Sequence, residues 1–160
     1  MTTSTPHTRS HTPAVRIAAL AVGALFLVVG IAGFIPGLTT HTDMLTWAGH
    51  HSGSMLLGVF AVSVLHNVVH LAFGVAGLLA SRTVTAARLF LIVAGVIYLV
   101  LTLYGLVIDH TSTANFVPVN TADNWLHLVL GVGMVALGVV LGRPAVHTDD
   151  GTAPPTDGIE

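Results

Sequence analysis

Histidine holds most of the side-chain chemistry open to this chain of 160 residues. There are ten His, against five Lys plus Arg and seven Asp plus Glu, and no Cys. Two of the ten stand in a stretch written twice. Asn67 to Val75 reads N-V-V-H-L-A-F-G-V and Asn124 to Val132 reads N-W-L-H-L-V-L-G-V. Asn67/Asn124, His70/His127, Leu71/Leu128, Gly74/Gly131 and Val75/Val132 recur in register. His66 and His70 are four apart and Asn67 and His70 three apart, spacings that share one helical face. Two imidazoles on facing helices can hold a haem iron (haem b), or a divalent metal if a third ligand joins them. His66, before the first copy, and Asp123, before the second, are placed to be that ligand. The competing reading is structural. Asn67, Asn124 and the His side chains bond across helices and set the bundle register, each bond being worth roughly 1 kcal/mol. That reading outweighs the cofactor site.

A second set is His41, Asp43, His50, His51, Asp109, His110 and Asp123, between the apolar segments. Imidazole with carboxylate can bind zinc or copper, or titrate near neutral pH. No strict ligand spacing such as H-E-x-x-H occurs, and His7, His11 and His147 show the same habit in the tails. A solvated surface is therefore preferred, and His50, His51 and His110 rank below His70 and His127 as metal ligands. No catalytic residue is assigned, because no Ser-centred elbow, phosphate-binding loop or paired intramembrane carboxylate is present. The absence of Cys removes disulfides, thiolate metal sites and Cys nucleophiles together. A net charge of −2 with no basic patch argues against nucleic acid as a partner.

The elements that must carry these residues follow from composition. The chain is 53% hydrophobic and 8% charged, with mean hydropathy +0.85. Soluble domains carry about 25% charge, so the lipid bilayer is the expected surrounding for most of this one. Apolar segments predict helices at about 15–35, 54–80, 87–108 and 124–142, within a transmembrane domain 14–142. Residues 1–13 and 143–160, rich in Thr, Pro, Asp and Gly, read as disordered tails. Gly53 to Ala80 has no Asp, Glu, Lys or Arg and is longer than one upright span needs, so either that helix tilts or its span begins nearer Ala61. A signal peptide is the rival reading of the first segment. Ile17 to Ile35 is longer than a usual signal core and lacks an Ala-x-Ala site near its end.

Arginine orients the chain. With the N-terminus inside, Arg9, Arg16, Arg82, Arg88 and Arg143 all face the cytoplasm, and the outer loops have no Lys or Arg. Trp47 and Trp125 then lie at the outer interface, where indole rings anchor. The second and fourth segments match in the register that pairs His70 with His127. The first and third match more weakly, in the register Arg16/Arg88, Gly23/Gly95, Phe26/Tyr98, Leu27/Leu99, Val28/Val100 and Gly33/Gly105. The two registers differ because the first half carries extra length, around Leu38 to Val64. The expected fold is all-α. It is a four-helix transmembrane bundle of two same-orientation hairpins about an axis normal to the membrane, both termini cytoplasmic. His70 and His127 then fall in the outer half, His70 the deeper, and can approach across the axis. Tyr98, in the middle of the third segment, reads as packing.

The runs H-H-S-G-S-M-L-L-G-V-F (His50 to Phe60), L-H-N-V-V-H-L-A-F-G-V-A-G (Leu65 to Gly77) and N-F-V-P-V-N-T-A-D-N-W-L-H-L-V-L-G-V-G-M (Asn115 to Met134) resemble a bacterial, largely actinobacterial family known as domain of unknown function 4383. The resemblance covers about Val15 to Gly142. It implies a small four-helix plasma-membrane protein and no particular activity. The expectation is a non-enzymatic envelope or stress-associated component of the inner membrane, with a homo-oligomer or larger membrane complex as possible setting. The alternatives are a haem or metal protein using His70 and His127, and a subunit of a small-solute transporter.

Overall fold

The computed structural model describes residues 12–142; Met1 to His11 and Arg143 to Glu160, hence nearly all of both expected tails, lie outside the described residues. Four helices carry the fold: α1 (Ala14–Ala32), α2 (Val64–Ala80), α3 (Val84–Val107) and α4 (Thr121–Leu141). Between α1 and α2 lies a small antiparallel sheet of β1 (Thr39–Thr40), β2 (Met55–Leu56) and β3 (Phe60–Ala61), in the order β1-β2-β3. The sheet occupies the stretch where the first half is longer than the second.

Three helices agree with the sequence expectation to within a few residues. The second does not. The apolar run predicts a helix over 54–80, with a span beginning nearer Ala61 as the alternative, and α2 starts at Val64, close to that alternative. The reason is local. Leu57 and Gly58 both take positive φ, 54° and 69°, the conformation of a type I′ turn between two hairpin strands. A helix cannot pass through it. Ser63 then opens α2 by accepting from the His66 amide at 3.1 Å. Asn120 opens α4 in the same way, accepting from Ala122 and Asp123 amides. The two caps stand in the same register of the repeat as His70 and His127.

The helices form two close pairs, α1 with α2 and α3 with α4. Glycine makes both approaches possible. A Cβ on Gly23 would lie 2.9 Å from the Leu78 amide nitrogen, and one on Gly95 would lie 2.8 Å from the Gly131 carbonyl oxygen. Close backbones of this kind let dispersion contacts hold helices together where lipid removes the hydrophobic drive. The pairs meet through α1 and α3: Val15, Ala19 and Phe26 pack with Ala87, Leu91, Ala94 and Tyr98, joined by Met134. Val15/Ala87, Ala19/Leu91 and Phe26/Tyr98 all share the register that aligns the first segment with the third.

Polarity is arranged inside out. His66, Asn67, His70, Thr102, Asp123, Asn124 and His127 are buried, while Ile17, Val28, Leu89, Leu106 and Val140 are exposed. Among the described residues three helices, α1, α3 and α4, are long and apolar enough to cross a membrane. α2 is apolar too, but has 17 residues, about 26 Å at 1.5 Å per residue.

Candidate functional site

The buried polar side chains converge between the two helix pairs. On α2, one turn separates His66 from His70, and their rings stack face to face with centroids 4.5 Å apart and planes 3° apart. α4 brings the His127 ring to 6.4 Å from His66. α3 supplies Tyr98, whose ring meets His127 edge-on at 5.0 Å and lies flat on Phe26 of α1 at 5.4 Å. Phe26 in turn meets His70 edge-on at 5.7 Å. Phe26 meets His70 in one helix pair as Tyr98 meets His127 in the other, and the Phe26 and Tyr98 rings stack at the centre.

The hydrogen bonds assign the state of His70. Its Nδ1 lies 3.0 Å from the His66 carbonyl oxygen, which can only accept, so Nδ1 carries the proton. In the neutral ring Nε2 is then an acceptor, and the Tyr98 hydroxyl donates to it across 3.1 Å. Both ring nitrogens are spent. His66 and His127 differ: each Nδ1 is buried without a hydrogen-bond partner. Where α3 carries a tyrosine whose hydroxyl reaches His70 Nε2, α1 carries Phe26, which offers no hydroxyl to His127.

The two expected motif asparagines play another part. Asn67 packs on Gly33 and Asn124 on Gly105, so tightly that a Cβ on either glycine would run into the amide. Asn67 Nδ2 and Asn124 Oδ1 find no hydrogen-bond partner. Their role is to fill the notch left by a glycine on the neighbouring helix, rather than to bond across it.

Asp123 is committed elsewhere. Its Oδ2 accepts from the Asn120 amide at 2.9 Å, closing a capping box, and from the Ala61 amide of β3 at 3.1 Å. Asn120 adds a bond to the Val59 carbonyl at 2.8 Å. Asp123 therefore ties the sheet to the start of α4. The outer-loop histidines are scattered as well. His110 Nε2 donates to the Gly105 carbonyl at 2.8 Å, near the end of α3, and the His50 and His51 rings lie 3.9 Å apart, tilted by 39°. Asp109 accepts from the amide and the hydroxyl of Thr111, both at 2.8 Å, and these bonds hold its carboxyl below the usual range.

His70 and Asp123 do not fit the expected role of haem or metal ligands. His70 has no lone pair left while Tyr98 donates to it, and Asp123 is turned to backbone amides. Among the described residues no group of three His, Asp or Glu is placed to hold a metal ion. The expected direct approach of His70 to His127 is also replaced: Tyr98 mediates between them, and His66 is the imidazole that His127 stacks with.

Tyr98 is the residue that sequence reasoning undervalued. Its signal was present in the alignment of Phe26 with Tyr98, where one repeat position gains a hydroxyl at the depth of the histidines. The four polar rings form a wall between two cavities. One, of about 290 Å³, lies between α2 and α3; the other, of about 120 Å³, lies under the sheet and is also lined by Val29, Asp123 and Leu130. His66, His70, Tyr98 and His127 line both.

The family described as Domain of unknown function (DUF4383) matches residues 16–140. No curated protein and no solved structure matches the chain.

Proposed function

The chain belongs to that DUF4383 family, and from this premise we propose that it is a four-pass, non-enzymatic component of the plasma membrane, in an envelope or stress-associated role. Its two helical hairpins share one orientation and both termini are cytoplasmic. One observation carries the non-enzymatic reading: most of the buried polar residues are taken up in structural contacts, with a nitrogen on each of His66 and His127 left over. His70 is bonded at both nitrogens, Asp123 is a cap and a staple, and Asn67 and Asn124 fill glycine notches. The repeated hairpin is supported by the repeat-related pairs of α1 and α3 that face each other through the core, and by the Asn67–Gly33 and Asn124–Gly105 contacts. The orientation is supported by Arg16, Arg82 and Arg88 at one end of the helices and by Trp47 and Trp125 toward the other. No Arg, Lys, Asp or Glu lines the larger cavity, which speaks against a transporter subunit for a charged solute.

The absence of Cys makes the test direct. Thr113→Cys, in the α3–α4 loop, should react with a membrane-impermeant maleimide in intact cells. Thr85→Cys, at the start of α3, should react only after permeabilisation. The opposite pattern overturns the orientation, and labelling of both from one side overturns the four-pass topology. Protein purified from its own membrane should show no Soret band; stoichiometric haem would overturn the non-cofactor reading.

A further inference from the structure

The larger cavity is more than a packing gap. It opens between α2 and α3, where Val69 and Ile97 are exposed at its edge. Its inner wall is His66, His70, Tyr98 and His127, and Phe73 and Phe116 add aromatic faces. Beyond Phe73 the same crevice continues as a shallower groove of about 340 Å³ along Ala72, Ala76, Val93 and Ala94. From His66 to Ala76 the helix rises about 15 Å. A cavity of about 290 Å³ stands at the small end of ligand sites, which run from about 300 to 1,000 Å³. It has room for a ring-sized head, with a hydrocarbon tail lying in the groove.

The wall says what kind of head. His66 and His127 are 8% and 4% exposed, both line the cavity, and each keeps a buried Nδ1 without a partner. An unmet imidazole nitrogen in apolar surroundings is costly. A half-turn of the His127 ring exchanges Nδ1 with Cδ2 in the same volume and brings its unspent nitrogen to another side of the ring, whereas the same turn of His66 would give up its bond to the Pro118 carbonyl. No Arg, Lys, Asp or Glu lines this cavity. An anionic head such as a phosphate or carboxylate would therefore be buried without a counter-charge. A neutral imidazole can donate N–H to a carbonyl or accept from a hydroxyl, according to its tautomer. Two such rings beside aromatic faces suit a flat head that exchanges carbonyl for hydroxyl at the same positions.

We propose that the crevice between α2 and α3 binds a prenylated quinone or quinol, its ring against His66 and His127 and its tail along Ala72 and Ala76. The binding goes beyond the structural role proposed above and does not depend on the topology of the termini.

The test uses the full chain in nanodiscs of quinone-free phosphatidylcholine, titrated with decylubiquinone. Native mass spectrometry should show saturable binding of one quinone per chain. In protein labelled with 15N at the imidazoles, the His66 and His127 signals should move on binding and the His110 signals should not. Decanol, a single-hydroxyl amphiphile with a tail of equal length, should bind at least about fivefold more weakly, since it can satisfy one ring and not two. His66→Phe and His127→Phe should each weaken quinone binding about fivefold to tenfold, the value of one hydrogen bond. Val69→Trp and Ala76→Leu change exposed positions, keep every polar ring, and should block head and tail respectively; circular dichroism checks that they fold. Quinone that only partitions without saturating, decanol that binds equally well, or Val69→Trp that leaves binding unchanged would each overturn the proposal.

Discussion

Two glycines on one helix should answer the same substitution with opposite signs. Gly131 and Gly133 both lie inside α4. A Cβ on Gly133 meets nothing within 4 Å, whereas one on Gly131 would lie 2.9 Å from Leu99 Cδ2 and Cγ and 3.0 Å from the Gly95 carbonyl oxygen. Carbon contacts are comfortable at about 3.5–4.0 Å, so Gly131→Ala obliges α3 and α4 to part by about half an ångström or more. Leu99 can rotate away, but the Gly95 backbone cannot. Overpacking of this kind costs about 1–3 kcal/mol. Replacing glycine by alanine in a helix returns up to about 1 kcal/mol at either position. Gly133→Ala should therefore stabilise by up to about 1 kcal/mol, and Gly131→Ala should destabilise by up to about 2 kcal/mol net. The difference between the variants isolates the packing cost, because the propensity and unfolded-chain contributions cancel. Reversible unfolding by SDS in mixed micelles, followed by helical circular dichroism, measures both. A Gly95→Ala, Gly131→Ala double variant should cost less than the sum of its parts, since both side chains press on one contact. Equal effects for Gly131→Ala and Gly133→Ala would refute the close approach of α3 to α4.

Tyr98→Phe removes the hydroxyl that satisfies His70 Nε2 and makes the centre a pair of phenylalanines. It should destabilise by about 1 kcal/mol, within the range of about 0.6–2 kcal/mol for bonds inside a bilayer. It should also shift the His70 Nε2 15N resonance, and an unmoved resonance would contradict the bond. Asp123→Ala removes the N3 half of the α4 capping box and the acceptor for the Ala61 amide, while the Asn120 cap stays in place. A loss of about 1–2 kcal/mol is expected from the two bonds. Hydrogen exchange at the Ala61 amide should rise about tenfold or more if that bond is worth about 1.4 kcal/mol, and unchanged exchange would show that the sheet is held by other contacts.

Much of the architecture is legible in the sequence. The apolar runs locate α1, α3 and α4 because each is a local property of composition, and the doubled N-x-x-H-L-x-x-G-V stretch marks the depth at which polar residues collect. The error in α2 had an equally local source. Met55 to Ala61 is as apolar as a helix, and hydrophobicity cannot distinguish a strand pair from a helical turn over so short a run. The positive φ at Leu57 decided it, and leucine gives no warning of that conformation. Ser63 as a cap was readable, since Asn120 holds the same place before the second copy of the motif.

The site divides along the same line. Spacing on helical faces and the scarcity of polar groups in apolar segments singled out His66, His70, Asn67, Asp123, Asn124 and His127 as candidates. Their partners did not follow. Whether Asp123 faces an imidazole or two backbone amides, and whether His70 meets His127 or Tyr98, depends on how far each helix is rotated about its axis and how deep it sits against its neighbours. Spacing within one helix constrains neither quantity.

By itself, then, the sequence determined that this chain carries apolar helices suited to lipid and that one polar motif recurs among them, because composition and periodicity are written along a single strand. Only the tertiary structure decided that Tyr98 spends the lone pair of His70, that Phe26 leaves His127 without a hydroxyl, and that a cavity opens beside both. Those are relations between α1, α2, α3 and α4, set by the glycine contacts that determine how closely the helices approach.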